Sequence, residues 1–327
     1  MIPYIGHESQ IYGIEEHRLV GGKGDGMRLL EINNGSGIEA TISLDRNADI
    51  SRLRFNGMNF GYFSPCGYVA PAYYESKGAD WLKSFTAGFL TTCGLQNVGS
   101  PCNDQGEELP LHGSIANTPV DEARYYEEDG KLIVKTRTSD EIIFGRKLRL
   151  YRTYTFPIGA NYFTYSDTIE NVGDKEVPFE ILYHMNMGYP LLDENSIVKI
   201  DSGNVTSRDA HAEEDIANWM NMEKPTAGYQ ERCYYHTMKT AYGHASIFQP
   251  TKGLGLAIDY DSKDLDCFVE WKMMGVRDYV LGLECGNAYP DGRDVMREKG
   301  ILKFLKPGEK KTYTVKITML DSPDKTC

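Results

Sequence analysis

Lys311-Thr312-Tyr313-Thr314-Val315-Lys316-Ile317-Thr318-Met319-Leu320 alternates strictly through Met319. Tyr313, Val315, Ile317 and Met319 fall on one side, and Thr312, Thr314, Lys316 and Thr318 on the other. Successive side chains of a strand point to opposite faces, so this two-residue period reads as a strand with one buried and one wet face. Shorter runs of the same kind precede it: KLIVKTR at 131–137, KLRLYRTYTF at 147–156 and NYFTYSDTIE at 161–170.

Turn signals separate these runs: Asp129-Gly130, Pro157-Ile158-Gly159, Asn171-Val172-Gly173-Asp174 and Pro307-Gly308-Glu309. Strands punctuated in this way favour a sandwich or barrel over alternating strands and helices. No long helical period and no repeat is present; short helical turns are expected near 78–85 and 212–221. The expected fold is all-β, a large antiparallel β-sandwich with a few short helices. No Pro/Gly/Ser-rich linker divides the chain, which reads as one domain over residues 1–327. A strand at 163–170, a turn at 171–175 and a strand at 177–184 read as a hairpin with His184 at its end.

The formal net charge of −12 repels nucleic acid and anionic lipid, so both are set aside as partners. The ligand should be uncharged, or drawn in by a local basic spot. Cysteines stand at Cys66, Cys93, Cys102, Cys233, Cys267, Cys285 and Cys327; their odd number and lack of a C-x-x-C spacing argue against zinc ribbons and redox pairs. The start, Met1-Ile2-Pro3-Tyr4, has no basic region followed by an apolar run, and no apolar stretch approaches the ~20 residues of a membrane-spanning helix. A reduced, cytoplasmic setting is the expectation.

Motifs that anchor nucleotide, metallopeptidase and serine-hydrolase chemistry are missing: there is no G-x-x-x-x-G-K-[ST], no dinucleotide G-x-G-x-x-G, no H-E-x-x-H and no G-x-S-x-G. Four polar and aromatic segments remain. They are Leu109-Pro110-Leu111-His112-Gly113; Ile181-Leu182-Tyr183-His184-Met185-Asn186; Val280-Leu281-Gly282-Leu283-Glu284-Cys285-Gly286-Asn287; and the stretch 81–99, with Trp81, Phe85, Gly88 and Thr92-Cys93-Gly94-Leu95.

These segments resemble the aldose 1-epimerase (galactose mutarotase-like) superfamily, and within it a branch of aldose-epimerase-like proteins of unassigned function. The resemblance implies a supersandwich that binds a monosaccharide or sugar derivative and needs no cofactor. In the superfamily an L-H-G segment supplies a sugar-binding histidine, a histidine after an N-x-G hairpin is the acid, and a glutamate after a hydrophobic late strand is the base. Carried over, these roles fall on His112, His184 and Glu284. The run Leu44-Asp45-Arg46-Asn47-Ala48-Asp49-Ile50 looks like an early Arg…Asp-Ile element of the branch. Two departures stand out: Cys285 follows the glutamate where mutarotases have proline, and His184-Met185-Asn186-Met187-Gly188 replaces an N-H-S/T-Y-F-N-L run. Both imply different contacts around the sugar.

The chemistry asked of such a site is modest. A base takes the anomeric hydroxyl proton, an acid protonates the ring oxygen, and the open aldehyde turns and recloses. No metal or redox group is needed. Supporting candidates are Trp81 and Phe85 for stacking on a sugar face, Arg46, Asp49 and Asn186 for hydroxyls, and Glu231 with His236 as a second polar cluster. Other readings share these residues: a carbohydrate-binding protein without catalysis, a metal site from His112, His184, His236 and Glu284, a ketol-isomerase or lyase, or a hydrolase using Glu231 and Glu284. A homodimer is a further expectation.

Overall fold

In the computed structural model, which describes residues 3–323, the strand that opened the reading lies within an antiparallel sheet of eight. Cys327 lies outside the described residues. The order across this sheet is Glu122–Glu128, Lys131–Glu141, Lys147–Pro157, Tyr162–Asn171, Lys310–Leu320, Leu254–Asp261, Tyr242–Gln249 and Ile197–Ile200. Tyr313, Val315, Ile317 and Met319 are at most 4% exposed, as their alternation requires. A six-stranded antiparallel sheet packs against it, ordered Ser202–Ser207, Arg232–Met238, Cys267–Met274, Tyr279–Gly286, Glu180–Met187 and Leu90–Leu95. A five-stranded sheet runs from Gly13–Arg18 to Met58–Asn59.

The main core lies between the two larger sheets. Leu148, Leu150, Phe156, Phe163, Tyr165, Val315 and Ile317 meet Ile181, Tyr183, Met185, Leu281, Leu283 and Cys285. One ionic cluster crosses this interior. Arg152, with no side-chain exposure, donates from Nε and Nη2 to Asp167 at 2.8 and 2.7 Å, and from Nη1 to Asp49 at 2.7 Å. Its Nη2 also donates to Thr92 Oγ1, and Tyr183 Oη donates to Asp167. Buried charges persist only when paired and hydrogen-bonded, and here one guanidinium joins strands of the three largest sheets.

The hairpin expected across 163–184 does not form. Tyr162–Asn171 stays in the eight-stranded sheet, between Lys147–Pro157 and Lys310–Leu320. Glu180–Met187 crosses to the six-stranded sheet, between Leu90–Leu95 and Tyr279–Gly286. Two physical reasons separate them. Pro178 has no N–H to give a continuous ladder, and the link Val177–Pro178 pairs instead with Phe304–Leu305. All eight residues of Glu180–Met187 are buried, whereas Tyr162–Asn171 alternates between buried and half-buried. His184 therefore stands inside a strand rather than at its end.

Short helices occur in both expected places, a 3-10 turn at Asp80–Ser84 and turns at Ala210–Glu213 and Ile216–Asn218; the helix Arg293–Glu298 and 3-10 turns such as Pro71–Tyr73 and Ile115–Asn117 were not expected. No helix among the described residues is long and apolar enough to cross a membrane.

Candidate active site

Register brings His184 and Glu284 together. His184 stands directly opposite Glu284, with Thr91 on its other flank and Val269 beyond Glu284. Residues directly opposite in an antiparallel pair share a face. Their neighbours Tyr183, Met185, Leu283 and Cys285 point into the core, so His184 and Glu284 point out of it. His184 Nε2 lies 3.2 Å from Glu284 Oε1. Gly282 makes room for this, since a Cβ there would collide with Glu284 Oε1.

The pair opens onto a cavity of about 510 Å³, a size that suits a small-molecule ligand. Its wall is aromatic. Trp81 stacks on Phe85 at 4.5 Å between centroids, and Trp81 lies 4.9 Å from His112. His112 and Phe85 each lie 5.7 Å from His184. Trp271 presents its ring to His184 at 5.3 Å. Polar groups are spaced among these rings: Arg208, Glu231, Asp278 and Ser100.

His112 is held by its loop. Its backbone is left-handed, with φ 55°; its N–H donates to Gly99 O, and Gly94 N–H donates to its carbonyl. The next residue must be glycine, because at φ 71° a Cβ of residue 113 would run into Gly94 O. His112 Nδ1 accepts from Gly99 N–H at 3.1 Å, so the neutral ring carries its proton on Nε2. Burial pushes its pKa down to about 4, which keeps the ring a neutral hydrogen-bond donor.

Burial sets the protonation of the pair as well. It lowers the His184 pKa well below the usual imidazole range, and proximity to His112 adds to this. It raises Glu284 well above the usual carboxylate range, with repulsion from Glu231 adding and Arg208 opposing. Both directions favour the uncharged forms. Among the described residues, His184 Nδ1, Glu284 Oε1 and Trp81 Nε1 are buried without a hydrogen-bond partner. Native structures rarely leave buried polar atoms unpaired, and such atoms facing a cavity are suited to a polar ligand.

Of the expected site residues, Glu284, His184, His112, Trp81, Phe85 and Glu231 line this cavity. Arg46, Asp49, His236 and Asn186 do not. Asp49 is spent on Arg152 and on the Thr92 N–H and hydroxyl. Arg46 is 6% exposed and donates to the carbonyls of Val69 and Ser84. Their place is structural because each found partners distant in sequence. His236 stands opposite Phe268, which stands opposite Cys285, so it faces the reverse side of the sheet from Glu284. There it contacts Glu270 and Trp219. The metal set of His112, His184, His236 and Glu284 is therefore not assembled, and no other His/Cys/Asp/Glu grouping suited to a metal occurs among the described residues. Asn186 shares the face of His184 but is fully buried and donates to the His184 carbonyl.

Sequence reading overlooked Tyr62, Arg208, Trp271 and Asp278 on the cavity wall. Strand parity carried part of the signal. In 231–236 the residues 231, 233 and 235 share one face, so Glu231 and His236 belong to opposite sides.

The family model described as a domain of unknown function, DUF4432, matches residues 24–319. The chain belongs to the DUF4432 family. No curated protein sequence matches it. Solved structures place the DUF4432 chain in the galactose mutarotase-like fold. A Klebsiella pneumoniae protein provisionally named an aldose 1-epimerase is 23% identical, with a TM-score of 0.90 over 98% of this chain and 88% of its own. A galactose mutarotase-like protein from Clostridium acetobutylicum is 15% identical, with a TM-score of 0.66 over 95% and 99% of the two chains. Galactose 1-epimerase from Lactobacillus acidophilus is 14% identical, with a TM-score of 0.64 over the same shares. The all-β sandwich expected from the sequence is thus the observed fold.

Proposed function

We propose that this DUF4432 chain is a cofactor-free, aldose 1-epimerase-like isomerase that interconverts the anomers of a sugar. The observation that carries this reading is the pair His184–Glu284, 3.2 Å apart at an aromatic cavity; burial favours the uncharged form of each, which is the form in which Glu284 carries a proton and His184 can accept it. In a pyranose, O1 and the ring oxygen hang from the same carbon, so adjacent donor and acceptor groups serve both at once. Moving the shared proton from Glu284 to His184 gives a carboxylate base and an imidazolium acid. The carboxylate takes the O1 proton while the imidazolium protonates the ring oxygen. The C1–O5 bond breaks and C1=O1 forms. The aldehyde turns about C1–C2, and the steps reverse on its other face. Each positioned proton transfer supplies ~10²–10⁴-fold.

His112, a neutral donor through Nε2, binds a sugar oxygen beside the pair, and Trp81 and Phe85 cover an apolar sugar face. Resemblance of fold to a galactose 1-epimerase supports the reading without deciding it, since one scaffold hosts many activities. The test is polarimetry of freshly dissolved α-aldoses with and without protein. Faster decay of rotation for at least one sugar is expected. A flat response across aldoses, sugar acids and phosphosugars would refute the isomerase reading; sugar that raises Tm without such decay would mark a binding protein instead.

A further inference from the structure

Among the described residues, the cavity wall contains a single guanidinium, that of Arg208, and a built-in means of keeping it occupied. Arg208 follows the strand Ser202–Ser207, and Glu231 precedes its neighbour Arg232–Met238, so the two side chains meet across the register. Arg208 Nη2 donates to Glu231 Oε1 at 3.0 Å. Glu231 Oε2 accepts from Trp271 Nε1 at 2.8 Å. On its other side, Arg208 Nε donates to Asp209 at 3.2 Å. Among the described residues, no lysine and no other arginine lines the cavity.

The opposite charge is in excess. Asp278 also lines the wall, makes no ion pair among the described residues, and accepts a long hydrogen bond from Tyr62 Oη at 3.4 Å. His112, His184 and Glu284 are held uncharged by burial. One cation against two carboxylates leaves the wall net negative. A guanidinium fork is the natural receptor for a carboxylate or phosphate, because it offers two parallel charge-assisted hydrogen bonds. Here Nη2 is already taken by Glu231 and Nε by Asp209.

We propose that Glu231 is a selectivity residue: by occupying Arg208 it makes the cavity admit uncharged sugars and turn away sugar acids and sugar phosphates. The proposal rests on the reading of this cavity as a sugar site. It assigns Glu231 a positioning part, tying Arg208 and Trp271 together, in place of a catalytic one. Removing its charge releases Nη2 of Arg208 while Asp209 keeps Nε, and an acidic sugar gains a partner where it previously met a carboxylate.

The test is titration calorimetry with matched probes, glucose against glucuronate and galactose against galacturonate, on wild type, Glu231→Gln and Asp278→Asn. Wild type should bind the neutral member of a pair at least about tenfold tighter, since like charges brought together are disfavoured. Glu231→Gln should move the ratio toward the acid by about tenfold or more, tenfold being ~1.4 kcal/mol. Adding Arg208→Gln to it should cancel that gain. Asp278 is exposed, so Asp278→Asn keeps its fold and should shift the ratio the same way by a smaller factor; it carries the test if Glu231→Gln does not fold.

Equal affinity of wild type for both members, an unchanged ratio in the variants, or binding of none of the probes overturns the proposal. Because the readout is binding, it is separate from turnover. A charge preference that follows these rules, with no polarimetric activity on any sugar, removes the isomerase reading and leaves the selectivity assignment standing.

Discussion

Replacing Glu284 by glutamine preserves the shape of the side chain and removes its ability to exchange a proton. If the shared proton drives ring opening, the enzyme-dependent rate falls by ~10²–10⁴-fold, or roughly 2.7–5.5 kcal/mol of barrier. The structure adds a second expectation of opposite sign. Burial raises the Glu284 pKa in the folded state well above the 4.5 of an unfolded chain. A group with a raised folded-state pKa gives its full stabilisation below the unfolded value and loses it as pH rises through the folded one. Wild type therefore pays an ionic penalty that grows above pH ~4.5. Glutamine has none, so Glu284→Gln should melt higher than wild type at pH 8 and by a smaller margin at pH 5. Polarimetry on a fresh aldose gives the rate, and thermal melts at the two pH values give the stability. A variant within about tenfold of the wild-type rate, or a melting gap that narrows from pH 5 to pH 8, would refute the argument.

Three further outcomes follow from the same geometry. His184→Asn should lose a similar factor in rate, and the double variant with Glu284→Gln should lose little more, because groups acting as one unit are not additive. Gly282→Ala puts a methyl group where Glu284 Oε1 now lies; polarimetric rate should drop at least tenfold or so while sugar-induced Tm shifts persist, as expected for a displaced reacting group. Glu180, whose Oε2 accepts from Val98 N–H while Oε1 has no partner, is pushed up to about 8 by burial. At ~1.4 kcal/mol per pH unit, wild type should shed on the order of 5 kcal/mol between pH 4.5 and about 8 through this group. Chemical denaturation of Glu180→Gln should show that slope removed.

How far the sequence led differs between fold and site. Period-two runs such as 311–320 are local, and a strand with one buried face writes its pattern into consecutive residues; those strands were legible. Glu180–Met187 is buried on both faces, so it carries no alternation, and its neighbour across the sheet could not be read from the residues beside it. His184, Glu284 and His112 were found through resemblance to a superfamily, since nothing local marks a lone histidine or glutamate as reactive. Arg46 and Asp49 were put forward because 44–50 looks like an early Arg…Asp-Ile element of the resembling branch, a likeness that does not say what each side chain meets. Asp49's true partner, Arg152, lies a hundred residues away in another sheet. Trp271 and Arg208 went unremarked for a similar reason: their value depends on Glu231, which binds both only after three strands have come together.

His184 and Glu284 hang from two strands that are themselves laced on both flanks, by Leu90–Leu95 on one side and Cys267–Met274 on the other. Much of the rim of the hollow is made differently, from short turns and connections that bear Leu82, Ser100, Asp278 and Pro290. Evolution can thus redraw the entrance by insertion or exchange of loops without disturbing the spacing at the floor. Among relatives of this architecture, grafted rims should carry ligand preference from one scaffold to another while the inner machinery stays as it is.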